Sequence, residues 1–191
     1  HGCKVYVTGR SDGTAGAEMP GTIQQTAADV TAAGGLGVPV VCEVGKTEQI
    51  EACVHEALHA FGRIDILVNN AQSVPLGKLN EVSEKAFEAG WRTGPLATLR
   101  FMRACYPHLK KQGGVVINLA TGAAMRNDLA GYGAYAAVKE ATRTLSRAAA
   151  CEWGADGIRV LVIVPLAVDT LALTDVKSGI GPVSRPEPGT R

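Results

Sequence analysis

Ile64-Asp65-Ile66-Leu67-Val68-Asn69-Asn70-Ala71 is the stretch that decides the fold of this 191-residue chain. A short aliphatic run that ends abruptly in polar residues is typical of a strand buried inside a parallel sheet. Two further runs of this kind follow, one over residues 115–119 and one over residues 158–164, which ends at Pro165. A long helical pattern precedes each of them, so the chain alternates between strand and helix.

The same alternation extends toward the N-terminus. Strands are predicted at residues 4–7 and 38–42, and helices at residues 22–33, 47–61, 83–111 and 133–153. Thr22 and Gln25 have the spacing of a capping box at the first helix. Strands that alternate with helices imply right-handed crossovers and a mainly parallel sheet covered on both faces. We therefore predict an α/β fold, a doubly wound sheet in three layers, with residues 1–191 as a single domain and residues 171–191 as a flap or tail.

The composition restricts the classes of partner. Hydrophobic residues make up 46% of the chain and aromatic residues 5%, which predicts an aliphatic core. The net charge is +1 and the charges are scattered, so neither a nucleic acid nor a membrane is an expected partner. The longest apolar run, residues 160–168, is too short to span a bilayer, and we find no signal-peptide pattern. The five cysteines are odd in number and lack paired spacing, so we expect free thiols in the reducing cytoplasm.

Tyr135-Ala-Ala-Val-Lys139 carries the predicted chemistry. Positions four apart on a helix lie one above the other, so this spacing places a phenol beside an ammonium. At roughly 4 Å and an effective dielectric of ~20, their attraction is about 4 kcal/mol. We therefore expect Lys139 to lower the pKa of Tyr135 toward neutrality. Such a phenol can exchange a proton with an alcohol or carbonyl oxygen, although the spacing also fits two polar residues on a helix surface.

Three motifs resemble the short-chain dehydrogenase/reductase family in order and spacing. They are Gly62-x-x-Asp65-x-Leu67-Val68-Asn69-Asn70-Ala71, the Tyr135/Lys139 pair, and Ile158-Arg159-Val160 leading to Pro165 and Val168-Asp169-Thr170. The resemblance implies a Rossmann-like fold and an NAD(P)-dependent oxidoreductase. Such an enzyme interconverts a small alcohol and a ketone or aldehyde by hydride transfer, and it forms homodimers or homotetramers.

The resemblance also implies a role for particular residues. Tyr135 is implied as the proton donor, and Lys139 as the group that tunes it and contacts the nicotinamide ribose. Thr121 stands in for the family's serine and is implied to polarise the substrate carbonyl. The implied cofactor-binding residues are Arg10, Glu43, Val44, Asn69, Asn70, Ala71, Lys139, Pro165 and Thr170. No residue is expected to bind a metal.

The N-terminal segment allows two interpretations. In one, residues 8–13 are a degenerate form of the family's glycine-rich turn. In the other, which we favour because Pro20-Gly21 would break a helix begun at that turn, residues 4–10 are already the family's second strand. The first strand and the last strand are then expected to be missing, and the chain resembles a piece of a longer parent. Arg10 would lie where the adenosine ribose is recognised, and its cation suits a 2′-phosphate, so NADP(H) is preferred and NAD(H) is possible.

The predicted site departs from the family pattern at four positions. Gly94 replaces an asparagine that holds a water in a proton relay, and it leaves space in which water can sit. Gln72 and Leu166 each replace a glycine, and Gln72 is expected to project toward the cofactor. Thr121 adds a methyl group that narrows the pocket. These departures leave open a second interpretation, a non-catalytic cofactor-binding protein or an inactive fragment.

Residues 55–65 match a zinc-protease pattern as well, His-Glu-x-x-His-x-x-Gly-x-x-Asp. His55 and His59 would bind the metal and Glu56 would act as the base. At about 100° per residue, however, the apolar residues of this helix fall in one sector and both histidines lie opposite. A solvated helix face explains them, so the zinc metalloprotease is the remote alternative.

Overall fold

Strands and helices alternate along the chain in the computed structural model, which describes residues 2–10, 21–125 and 131–165. The strands are β1 (Lys4–Gly9), β2 (Leu36–Val41), β3 (Ile66–Asn69), β4 (Gly114–Leu119) and β5 (Ile158–Ile163). The α-helices are α1 (Ile23–Ala32), α2 (Thr47–Phe61), α3 (Glu84–Thr93), α4 (Pro95–Leu109) and α5 (Gly133–Trp153). Short 3-10 turns follow β4 at Gly122–Met125 and α5 at Gly154–Asp156. The predicted α/β order is therefore confirmed.

Two helix signals have different outcomes. The Thr22 hydroxyl accepts a hydrogen bond from the backbone N–H of Gln25 at 3.0 Å, which confirms Thr22 as the N-cap of α1. The Gln25 side chain donates instead to Asp29, so only half of the capping box forms.

The single helix predicted over residues 83–111 is wrong, because it divides into α3 and α4 at Gly94. Pro95, which has no N–H to donate, is the first residue of α4.

All the strands are parallel, but they form two separate sheets. One is the pair β1-β2 and the other is the trio β3-β4-β5. No hydrogen-bonded ladder joins β1 to β3 in the part of the chain that the structure describes, so the single sheet of the prediction is interrupted there. In the doubly wound order 3-2-1-4-5-6, this interruption falls at strand 1. The topology therefore supports the interpretation of β1 as the family's second strand.

The pair β1-β2 has a helix on each face. Gly9 and Gly37 face α1, because a Cβ on either would lie within 3 Å of an α1 residue, Ile23 or Ala27. On the other face, the Tyr6 ring packs edge-on against Phe61 of α2 with centroids 5.2 Å apart. Here the three-layer arrangement is as predicted.

The trio β3-β4-β5 is covered on one face among the described residues. Its inner face packs on α4 and α5 around a core of fully buried side chains that includes Met102, Leu109 and Val116. The outer face carries apolar side chains that are between 47% and 55% exposed, namely Ile66, Val68, Leu161 and Ile163. Among the described residues, helices therefore cover one face of this trio. No described helix has the length and apolarity needed to cross a bilayer.

The contact between α1 and β2 predicts a stability difference between two glycine variants. In Gly37→Ala the new Cβ would clash with the backbone of Ala27, including its carbonyl oxygen, and neither backbone can move freely. We expect the free energy of unfolding to fall by about 1–3 kcal/mol, measured by urea denaturation.

Gly154→Ala is the matched control. Gly154 has a φ of −59° and open space around its Cβ position. Its substitution should leave stability unchanged or raise it by about 0.4–1 kcal/mol. Equal effects of the two substitutions would contradict the packing of α1 on β2.

Candidate active site

The three predicted catalytic residues lie together at the carboxyl edge of the trio. Thr121 follows the end of β4, and Tyr135 and Lys139 lie one turn apart on α5, which packs against β4 and β5. In open parallel sheets, ligands bind outside the carboxyl ends of the strands. The residues that the spacing predicted are therefore placed where this architecture forms its sites.

The pKa of Tyr135 is raised, not lowered as the sequence predicted. Burial is the largest cause, because it disfavours the charged phenolate. A hydrogen bond with the Thr121 side chain acts in the opposite direction, and the nearby Tyr132 raises the pKa further. The rings of Tyr132 and Tyr135 have centroids 6.4 Å apart. The expected lowering by Lys139 is not found, so Tyr135 is a neutral phenol at neutral pH.

Lys139 is buried, with 6% of its surface exposed. Its Nζ donates to the carbonyl oxygen of Leu119 at 2.6 Å, so the amine is directed to the end of β4. Burial lowers the pKa of Lys139 to about 8. Desolvation thus raises the pKa of the phenol and lowers the pKa of the amine. As a result, the pKa of Lys139 lies close to neutral pH.

Two predicted cofactor residues meet at the carboxyl edge of the pair β1-β2. Arg10 Nε lies 3.9 Å from Glu43 Oε2, and the Arg10 side chain is 72% exposed. Glu43 is held by its neighbours, because its backbone N–H donates to Gln49 and its Oε1 accepts from the N–H of Gly45. The structure therefore presents an exposed cation beside an oriented carboxylate.

The side chain of Asn69 is already engaged inside the protein. Its amide donates to Asn118 Oδ1 at 2.8 Å, and Asn118 in turn donates to Ser146 Oγ at 2.7 Å. Asn118 is fully buried, so this network ties β3, β4 and α5 together. One N–H of the Asn69 side chain is therefore used inside the protein, and the binding of a cofactor by Asn69 stays a prediction. A single polar residue inside the aliphatic run of β4 was the signal that could have identified Asn118.

The remaining predicted cofactor residues differ in their access to a ligand. Asn70, Ala71 and Pro165 are exposed beyond the ends of β3 and β5. Val44 is 8% exposed and its side chain belongs to the hydrophobic core. Thr170 lies outside the described residues, as do Leu166 and the predicted flap over residues 171–191.

Gln72 and Gly94 lie against each other, which the sequence did not predict. A Cβ at Gly94 would lie 3.0 Å from Cδ of Gln72 and 2.9 Å from Cγ1 of Val138. The Gln72 side chain thus occupies space that a larger residue at position 94 would need. Gln72 projects toward α5 and the junction of α3 and α4. The sequence shows both substitutions but not that they contact each other.

Two large apolar side chains are exposed on segments that contact α5. Met125, which ends the turn that begins after Thr121, is 75% exposed, and Leu79 is 76% exposed. A Cβ on Gly133, two residues before Tyr135, would lie 3.0 Å from the Leu79 side chain. Exposed Leu and Met side chains beside a polar site are typical of a surface that receives an apolar ligand.

The histidines of the zinc-protease pattern lie on the solvent face of α2. His55 and His59 are exposed, whereas Ile50, Cys53 and Val54 are buried on the opposite face, as predicted. Among the described residues, no group of three or more His, Cys, Asp or Glu side chains could hold a metal ion.

Comparison with known proteins gives consistent results. A family model described as enoyl-(acyl carrier protein) reductase matches residues 1–182. A 12α-hydroxysteroid dehydrogenase from a Clostridium species is 42% identical over 134 residues, which are 70% of this chain and 51% of that protein. The chain therefore spans about half the length of this relative.

Solved structures agree with this result. A short-chain dehydrogenase from Streptomyces avermitilis superposes with a TM-score of 0.75 at 27% identity, over 89% of this chain and 60% of that one. A metagenomic short-chain oxidoreductase in complex with NADP superposes with a TM-score of 0.74 at 27% identity, over 86% of this chain and 72% of that one. The extent of the family match, together with the parallel α/β fold and the Tyr135/Lys139 spacing, shows that the chain belongs to the short-chain dehydrogenase/reductase family.

Proposed function

We propose that the chain carries the catalytic site of an NADP(H)-dependent oxidoreductase that interconverts an alcohol and a ketone or aldehyde. The observation that carries the proposal is the hydrogen-bonded Tyr135/Thr121 pair at the carboxyl edge of the sheet, with the buried Lys139 one helical turn away. Membership of the family and the dehydrogenase names of its relatives support the reaction class.

The described residues fit a nicotinamide dinucleotide at this edge. Arg10 and Glu43 would hold the adenosine ribose, with the guanidinium on a 2′-phosphate, and the exposed Asn70-Ala71 backbone would lie along the sheet ends. Lys139 would direct a free N–H toward the nicotinamide ribose. The relative bound to NADP supports this choice of cofactor. The cofactor, when bound, supplies or accepts the hydride.

Tyr135 acts as the general acid in the direction of carbonyl reduction. Because burial raises its pKa, the phenol holds its proton at neutral pH and can donate it to the substrate oxygen. The Thr121 hydroxyl bonds to the same oxygen and stabilises the negative charge that develops there. In the direction of alcohol oxidation, the phenol must first lose its proton, so this direction is favoured by higher pH.

The substrate is an alcohol or carbonyl group on an apolar scaffold. Leu79 and Met125, on segments that contact α5, present large apolar side chains to the solvent. An apolar substrate body that covered them would gain about 25 cal/mol for each Å² of apolar surface removed from water. The relative that acts on a hydroxysteroid supports the same class of substrate.

We also infer an oligomeric state and a cellular compartment. We expect a homodimer or homotetramer that assembles through α4 and α5. We also expect the protein to function in the reducing cytoplasm, where its cysteines, all free thiols in the structure, would stay reduced.

Replacing Tyr135 by Phe tests the assigned acid. We expect turnover with hydroxysteroids and other secondary alcohols to fall by about 10²–10⁴-fold, because the only lost atom is the proton-donating hydroxyl. The dissociation constant for NADPH should change little. Steady-state kinetics and fluorescence titration measure the two quantities.

Tyr106→Phe is the control for this experiment. Tyr106 donates to Asp156 near the amino end of β5, so its hydroxyl lies at the opposite edge of the sheet. Its loss should lower stability slightly and leave turnover intact. Unchanged activity in Tyr135→Phe would refute the assignment, and NADPH binding without turnover in the unmodified protein would favour the non-catalytic interpretation.

Arg10 provides the test of cofactor preference. Removing its guanidinium in Arg10→Ala should weaken NADPH binding about tenfold or more and leave NADH binding unchanged, because only NADPH carries the 2′-phosphate. Arg103→Ala removes an equal charge from an exposed position on α4 and should affect neither cofactor. Tighter binding of NADH than of NADPH by the unmodified protein would overturn the preference.

The buried amine of Lys139 predicts a pH-dependent stability. Its pKa is about 8 in the folded protein, against an ordinary value of 10.5, and burial is the cause, with no charged neighbour contributing. Between these two pH values the unfolded chain binds the extra proton, so Lys139 makes the free energy of unfolding rise with pH. Below about pH 8 Lys139 is protonated in both the folded and the unfolded state. The free energy of unfolding is then lowered by the full cost of burying the charge.

Lys139→Met should therefore be the more stable protein at pH 7, by up to about 3 kcal/mol, with the difference shrinking toward pH 10. Urea denaturation of both proteins at several pH values measures this difference. Lys85→Met, at an exposed position on α3, should show no such trend. A constant difference between Lys139→Met and the unmodified protein would contradict the lowered pKa of Lys139.

A further inference from the structure

The side chain of Gln72 ends in a buried amide without a partner. Among the described residues, Gln72 Nε2 is the one buried side-chain nitrogen or oxygen atom that has no hydrogen-bond partner. Buried polar groups nearly always have a partner, and an unpaired one is costly. Such an atom in a native structure indicates a water molecule or a ligand atom that completes the hydrogen bond.

The position of this amide is fixed by its surroundings. The next residue, Ser73, donates its backbone N–H to Thr93 Oγ1 at 2.8 Å, which holds the segment against α3. The Gln72 amide fills the space that a side chain at Gly94 would need, and it lies there beside Val138. The amide is thus enclosed by the segment after β3, the junction of α3 and α4, and α5.

The neighbour of Val138 on α5 is Lys139, whose hydrogen bonding is also incomplete. A lysine ammonium has three N–H donors, and the described residues accept one of them, at Leu119 O. Leu119 ends β4, which pairs with β3 three residues before Gln72. The unpaired amide and the incompletely paired amine therefore lie on neighbouring segments, where α5 packs near the carboxyl ends of β3 and β4.

We infer that Gln72 is a positioning residue whose side-chain amide holds an ordered water molecule against the amine of Lys139. The inference rests on the proposed function, in which Lys139 contacts the cofactor ribose. The water accepts the hydrogen bond from Gln72 Nε2, and it donates to the amine when Lys139 is neutral or accepts from it when Lys139 is charged. Gln72 thereby supplies the one polar partner that keeps the buried amine partly solvated.

The experiment follows the ionisation of Lys139 itself, by NMR of protein with labelled lysine side chains. In Gln72→Leu the water loses its anchor, so the amine is more fully desolvated. We expect the midpoint of the Lys139 titration to fall by about one pH unit. Gln72→Asn keeps an amide and should shift the midpoint less. Gln24→Leu, the same change at an exposed position on α1, should leave it in place.

The contrary result is equally specific. If the amide binds no water, Gln72→Leu merely removes an unsatisfied polar group, so the melting temperature should rise by about 2–4 °C while the Lys139 titration stays unchanged. That pair of observations would overturn the proposal. The titrations of Tyr135 and of Lys139 in the same spectra show whether the two groups are coupled.

Kinetics separate this inference from the proposed function. With an active enzyme, Gln72→Leu should displace the pH profile of kcat in the same direction as the Lys139 midpoint and leave the KM for the alcohol nearly unchanged. If the unmodified protein shows no turnover but the midpoint still falls in Gln72→Leu, the proposed function fails and the role of Gln72 stands. If turnover is normal and the Lys139 midpoint does not move in Gln72→Leu, the proposed function stands and the role of Gln72 fails.

Discussion

The buried amide of Asn118 is the contact on which the arrangement of the site depends. It accepts from Asn69 on β3 and donates to Ser146 on α5, so three elements that are far apart in sequence are fixed to one another. Each of these groups is satisfied by the others, and an alternative packing would leave at least one unpaired at a cost of about 1–3 kcal/mol. The position of α5 against the end of β4 follows from this network. Tyr135 and Lys139 are placed relative to Thr121 by the same contact.

Desolvation, rather than attraction between neighbouring charges, sets the acid–base character of the site. Burial raises the pKa of the Tyr135 phenol and lowers that of the Lys139 amine to about 8. The two shifts leave one neutral phenol and one amine near its titration point one helical turn apart on α5. This combination suits a site that must deliver a proton beside a cofactor, and it requires no direct contact between the two side chains.

One contact relates two of the departures from the family pattern, those at Gly94 and Gln72. Gly94 lacks a side chain at a place where Gln72 brings an amide in from a different element. A polar group is thus present in the region although the residue that carries it has changed. The same structure shows the outer face of the trio β3-β4-β5 only partly covered among the described residues, with Ile66 and Leu161 about half exposed. The inner face, which forms the site, is well packed.

Local patterns in the sequence were sufficient to predict the element types, the parallel α/β class and the residues at the strand ends. Aliphatic runs, the 3.6-residue periodicity and the spacing of Tyr135 and Lys139 depend on neighbours along the chain, so they can be read without a structure. The contact of Gln72 with Gly94 and Val138, by contrast, joins three segments that are distant in the sequence. The direction of the Tyr135 pKa shift depends on how deeply other elements bury it. The network that joins Asn69 to Asn118 and Ser146 links residues that are 49 and 77 positions apart in the chain. Contacts between distant segments decide burial and pairing, and only the tertiary structure contains them.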